Sequence, residues 1–125
     1  METPPDERRV LVIDDDVAVL HSLKFSLEVE GYSVVVSVDG ADLFENGIGA
    51  PARGCLVVDY DLPRENGLDL LVSLRERGVD WPAILITTSP SPSIRERAKA
   101  DHIPIVEKPL LGNALLDAIR EAFAD

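Results

Sequence analysis

Five side chains in this sequence are of types that do chemistry together: Asp14, Asp15, Asp59, Thr87 and Lys108. Asp14 and Asp15 follow directly on the aliphatic run "VLVI", and Asp59 follows on "CLVV". A buried strand gains nothing from a carboxylate at its end, and adjacent like charges resist ionisation when desolvated. A hard divalent cation resolves such a cluster. Mg²⁺ takes oxygen ligands, keeps several waters, and is typically held by one or two carboxylates plus a phosphate. A carboxylate in such a site can also attack phosphorus and form an acyl phosphate. Lys108 then offsets charge on the phosphoryl oxygens, and Thr87 can donate its hydroxyl to one of them. Asp16 has a different expected task, because aspartate is a preferred helix N-cap and a helical pattern starts just after it. Taken alone, the run Asp14 to Asp16 is equally compatible with a solvated loop ending in a cap. The residues at the partner positions turn the reading toward a site.

These side chains can meet only if the elements carrying them end at one rim. Five apolar runs read as strands: "RRVLVI", "YSVVVS", "GCLVVD", "PAILIT" and "HIPIVE". Helical patterns alternate with them. "DVAVLHSLKFSLEVEG" has Leu20, Leu23 and Leu27 at helical spacing and a stop at Gly31. "DGADLFENG" reads as a short second helix. "NGLDLLVSLRERG" places Leu68, Leu71, Val72 and Arg75 at helical offsets. "SIRERAKA" offers Ser93 as cap with Glu96 three residues on, a capping box. "NALLDAIREAF" lines up Leu115, Ala118, Ile119 and Ala122. Strand and helix thus alternate five times, which predicts an α/β fold: a doubly wound (βα)5, flavodoxin-like three-layer sandwich on a parallel sheet. Pro104 removes a ladder donor, so the fifth strand belongs at an edge, as in strand order 2-1-3-4-5. In that order ligands bind beyond the carboxyl ends of the strands, where strand order reverses between strands one and three. All five candidate side chains sit at that rim.

Composition narrows the classes. A chain of 125 residues is one domain, 1–125, with no separate output domain expected. A net charge of −11 repels phosphate backbones and anionic membranes, so direct nucleic-acid binding is not expected. Cys55 is the one cysteine, so no disulfide forms within the chain, and a buried thiol acts as a small hydrophobe. No apolar stretch approaches the ~18 residues of a membrane span. "METPPDERR" lacks the apolar core of a secretory signal, and the expected location is cytoplasmic. His21 and His102 have no clustered partners and read as surface residues. "RERAK" reads as a solvated helix face.

"VLVIDDD", "LVVDYDLPRENG", "ILITT" and "VEKP", in this order and spacing, resemble the successive signatures of the response-regulator receiver domain. The resemblance covers essentially the whole chain. It implies that Asp59 is the phosphoacceptor, with Asp14 and Asp15 as the acidic pair that holds Mg²⁺. Asp15 matches the direct ligand, Asp14 acts more often through water, and the backbone carbonyl of Asp61 matches the third protein ligand. Thr87 matches the switch hydroxyl and Lys108 the family lysine, with Pro109 after a cis peptide bond. The implied partner is a sensor histidine kinase or phosphotransfer protein, meeting the first helix. A downstream target or a second copy would use the region of the helix after strand four, strand five and the last helix. Such a domain is a phosphorylation switch and not an enzyme. Four residues depart from the pattern. Ile105 replaces the switch aromatic, Thr88 replaces a small residue, and Pro90 with Pro92 predicts a short or displaced helix after strand four. Two other readings share part of the pattern: a haloacid-dehalogenase-like aspartyl phosphatase, through "VVDYDLP", and a degenerate receiver that binds partners without phosphorylation.

Overall fold

The structure, a computed structural model, describes residues 8–41 and 54–124. Among them run β1 (Arg9–Ile13), α1 (Val17–Val29), β2 (Ser33–Ser37), β3 (Gly54–Asp59), α2 (Gly67–Glu76), β4 (Ala83–Thr87), α3 (Pro92–Ala100), β5 (Ile105–Glu107) and α4 (Ala114–Phe123). All strand pairs are parallel, in the order β2-β1-β3-β4-β5. The helix expected in "DGADLFENG" lies outside the described residues except at its first positions.

Side chains of successive strand residues point to opposite faces, and here both faces are apolar. Val10, Val12, Cys55, Val57, Ile84 and Ile86 join the α1 and α4 side. Leu11, Ile13, Leu56, Val58, Ala83 and Leu85 join the α2 and α3 side. That double burial is why the strands read as unbroken apolar runs. Burial pushes the Cys55 thiol up to about 12, so it behaves as the expected hydrophobe. Among the described residues no helix is long and apolar enough to cross a membrane.

Two helices and the last strand correct the sequence-based expectations. In α2 the inward residues are Leu68, Leu70, Leu71 and Leu74, whereas Val72 and Arg75 are exposed. Turning Arg75 inward would desolvate a guanidinium, so the helix rotates to bury two further leucines, Leu70 and Leu74, each worth roughly 1.5–3 kcal/mol. In α3 the cap is Ser91, not Ser93: Ser91 Oγ accepts the Ile94 amide at 3.3 Å, and Pro92 takes the first helical position. Proline suits that position because its missing N–H has no partner there anyway. The last strand shrinks to three residues, and Pro104 stands just before it, its carbonyl accepting the Leu85 amide at 2.9 Å. The edge placement of this strand holds.

α3 is nine residues long and fully buries only Ala98. Two exposed ion pairs tie it down, Arg95–Glu107 and Arg97–Asp69, each at 2.7 Å. Pairs of that kind contribute only ~0.2–1 kcal/mol each. The helix ends with His102 at φ 58°, where the His102 amide reaches Lys99 O and the Ile103 amide reaches Ala98 O. A left-handed residue with a Cβ is strained, and glycine is not. His102→Gly is therefore expected to raise unfolding free energy by about 0.5–1 kcal/mol, read by urea denaturation. A loss of stability would show that the imidazole makes contacts that outweigh the strain.

Candidate metal centre

β1 and β3 are neighbours with Ile13 opposite Val58, so each strand delivers its next residue, Asp14 and Asp59, to the same rim. This is the strand-order reversal predicted from the sequence. Asp14 is fully buried, and its amide extends the ladder by donating to Ser37 O at 3.1 Å. Asp14 Oδ1 accepts the Asp16 amide at 2.9 Å. Asp16 Oδ1 in turn accepts the Ala18 and Val19 amides, which makes it the N-cap of α1 as expected. Asp15 is exposed between them. Asp14, Asp15 and Asp59 can each present one carboxylate oxygen within 4.8 Å of the others.

The opposing charge comes from Lys108. Its Nζ stands 3.0 Å from Asp14 Oδ2 and 3.4 Å from Asp59 Oδ2. The compensation of Asp14 Oδ2 is ionic, without a well-aligned hydrogen bond. Lys108 is anchored by its own backbone, whose amide donates to Thr87 O at 2.8 Å, and the Lys108–Pro109 peptide is cis. Thr87 is buried at the end of β4, one residue beyond Ile86, the register partner of Asp59. The candidate residues from four chain segments thus converge on one rim.

Electrostatics follow from this packing. Burial, and then the Asp14 charge, push Asp59 up to about 6, against the opposing pull of Lys108 and the Asp61 amide. That amide donates to Asp59 Oδ1 at 3.3 Å. Burial alone would lower Lys108, but Asp14 and Asp59 together outweigh it and hold the ammonium above its ordinary range. Three clustered carboxylates against one ammonium, which pairs with Asp14 and Asp59, leave an excess of negative charge, and every side-chain donor is a hard oxygen. That donor set fits Mg²⁺.

Asp61 has an exposed side chain, and its backbone follows a loop pinned at both ends. The Tyr60 amide donates to Ile86 O at 2.9 Å, and the Gly67 amide donates to Tyr60 O at 2.8 Å. Gly67 is the residue that motif reading passed over. A Cβ there would stand 2.4 Å from Asp59 O. Its one sequence signal is a glycine at the first helical position, after the capping Asn66, where glycine has no helix-forming merit.

The family profile described as "Response regulator receiver domain" matches residues 10–120. The chain belongs to the response-regulator receiver family. This receiver domain is 36% identical over 116 residues to the response regulator MprA of Mycobacterium avium, covering 90% of this chain and 49% of that protein. It is 36% identical over 117 residues to the transcriptional regulatory protein FixJ of Azorhizobium caulinodans, covering 93% of this chain and 55% of that protein. The receiver thus spans about half the length of these curated relatives. Among solved structures, a CheY-like receiver domain from Methanospirillum hungatei superposes with a TM-score of 0.77 at 28% identity, covering 91% of each chain. With the family shown, the likeness of "VVDYDLP" to haloacid-dehalogenase-like phosphatases reduces to a shared Asp-x-Asp spacing. Receiver domains are signalling modules that bind Mg²⁺ in an acidic pocket, and this chain carries a cluster of three aspartates.

Proposed function

We propose that Asp59 accepts a phosphoryl group from a phosphohistidine on a sensor kinase or phosphotransfer protein, and that the modified domain signals by changing a protein-binding face. The observation that carries this reading is the Asp59 carboxylate itself. It is buried, it ends a fully apolar strand, and it stands within 3.4 Å of the Lys108 ammonium beside Asp14. In the transfer the donor P–N bond breaks as the bond from an Asp59 oxygen to phosphorus forms. Asp14, Asp15, Asp59 and the Asp61 carbonyl would hold Mg²⁺, which supplies positive charge to the phosphoryl oxygens. Lys108 neutralises the charge arriving on Asp59, and Thr87 donates its hydroxyl to a phosphoryl oxygen. The new contacts shift a two-state equilibrium. The acidic surface disfavours direct nucleic-acid binding by this domain, and a cytoplasmic setting suits both the kinase and the single thiol.

Ile105 favours a second reading. Where the family carries a switch aromatic, this chain has a half-buried aliphatic residue packed against the α2 and α3 side of the core. A receiver that binds partners without phosphorylation would tolerate that change. One experiment separates the two. The protein is incubated with Mg²⁺ and acetyl phosphate or a phosphoramidate, and its intact mass is followed. A single phosphoryl adduct is expected on the native protein and none on Asp59→Asn. No adduct on the native protein, or an undiminished one on the variant, removes the phosphoacceptor assignment.

A further inference from the structure

The glycine that closes the acceptor loop does more than start a helix. Gly67 is buried, and an added Cβ would lie 2.4 Å from Asp59 O, 3.0 Å from Asp59 C and 2.9 Å from Val58 Cγ1. A heavy atom closer than 3.0 Å to that carbonyl forces a shift, and moving from 2.4 Å to 3.0 Å is a displacement of about 0.6 Å. Either the helix or the strand end must yield. Beyond Gly67, α2 is held by Leu68, Leu70, Leu71 and Leu74, all buried. Asp59 is the last residue of β3, paired to Ile86 at the end of the ladder. The strand end is the softer of the two, so the displacement falls on Asp59.

We propose that Gly67 is a positioning residue of the phosphoacceptor site, which lets α2 press its backbone against the Asp59 carbonyl and so sets the height of the Asp59 carboxylate. The same residue sets the path of the Asp61 carbonyl, because its amide closes the loop onto Tyr60 O. A side chain at 67 thus moves two metal-ligand positions together. This inference rests on the acceptor reading of Asp59. Misplacing a reacting group by about 1 Å can cost ~10²-fold in rate, so a displacement of roughly 0.6 Å predicts a loss of about tenfold.

The test uses the full chain with Gly67→Ala, beside Leu74→Val as a control on the same helix and remote from Asp59. Melting temperature, Mg²⁺ affinity by calorimetry, and adduct formation from acetyl phosphate are measured well below both melting points. Gly67→Ala is expected to bind Mg²⁺ and form the adduct about tenfold less well. Leu74→Val should stay within about twofold of the native protein despite its lowered melting temperature. Wild-type affinity and rate in Gly67→Ala overturn the proposal, as does a loss no greater than that of the control. If Gly67→Ala does not fold, Gly67→Ala with Val58→Ala replaces it, since this pair keeps only the clash with the Asp59 backbone. Failure of both to fold also overturns the proposal, because Gly67 would then serve the fold and not the aim of Asp59. Failure of the acceptor reading has a separate signature, the absence of any adduct on the native protein.

Discussion

Replacing Asp59 by asparagine is expected to stabilise the metal-free protein at pH 7. Folding pushes the Asp59 pKa from 3.8 up to about 6, chiefly by burial and then by the Asp14 charge. Between these two values the folded state binds more protons than the unfolded chain. Stability therefore falls as pH rises from about 4 to about 6, and above that the full penalty of an ionised Asp59 is present. A shift of about two units corresponds to roughly 3 kcal/mol. Solvent access at the rim screens part of this, which leaves about 1–2 kcal/mol for Asp59→Asn to recover. The amide keeps the shape of the carboxyl and removes the repulsion from Asp14, while Lys108 retains Asp14 as its partner. Urea denaturation at pH 7 and pH 4 checks this. The variant should be the more stable at pH 7, with the gap shrinking at pH 4, where native Asp59 is largely protonated. Saturating Mg²⁺ should narrow the gap at pH 7, because the ion supplies countercharge to the Asp59 carboxylate, which the variant lacks. A variant less stable than the native protein at pH 7 would show that the Asp59–Lys108 attraction outweighs burial.

Strand ends were legible because a doubly buried parallel strand is apolar until it leaves the core, so Asp14 and Asp59 announce themselves by breaking the run. Pro104 announced the edge strand by its missing donor. Once strand order is known, the reversal between β1 and β3 places Asp14 beside Asp59 without further assumption. Helix rotation was harder. Leu68 and Leu71 belong both to the stripe with Val72 and Arg75 and to the stripe with Leu70 and Leu74, and only desolvation of Arg75 separates them. The α3 cap was ambiguous because Ser91 and Ser93 both have capping side chains. Pro92 decides it, since proline is favoured at the first helical position, which makes Ser91 the cap. Two distances in the site are set by tertiary packing, beyond what any local motif specifies. The pairing of Lys108 with the fully buried Asp14 depends on tertiary distance, and the closeness of Gly67 to the Asp59 carbonyl depends on how α2 seats on the sheet.

The pairing of Lys108 carries the other large effect. Among the described residues Lys108 is the cation facing both Asp14 and Asp59, and Asp14 has no access to water. Removing one partner of a fully buried pair destabilises by ~3–5 kcal/mol, because the other charge is left uncompensated. Lys108 is about one-quarter exposed, so the loss expected for Lys108→Ala in the absence of metal is smaller, about 2–3 kcal/mol at pH 7. It should shrink as pH falls and Asp59 takes up its proton. Adding Asp59→Asn should restore part of it, since two contacting residues do not contribute independently. Mg²⁺ binding should move the opposite way. The ammonium and the metal compete for the same carboxylate oxygens, so Lys108→Ala is expected to bind Mg²⁺ more tightly, by about tenfold or ~1.4 kcal/mol. Phosphoryl uptake should nonetheless slow, because no ammonium remains to stabilise the charge that arrives on Asp59. Tighter metal with slower transfer is a combination that general damage to the site does not produce. Calorimetric titration with Mg²⁺ and adduct kinetics on the same preparation give both signs. Weaker Mg²⁺ binding in Lys108→Ala would mean that the lysine holds the carboxylates in place for the metal and does not compete with it.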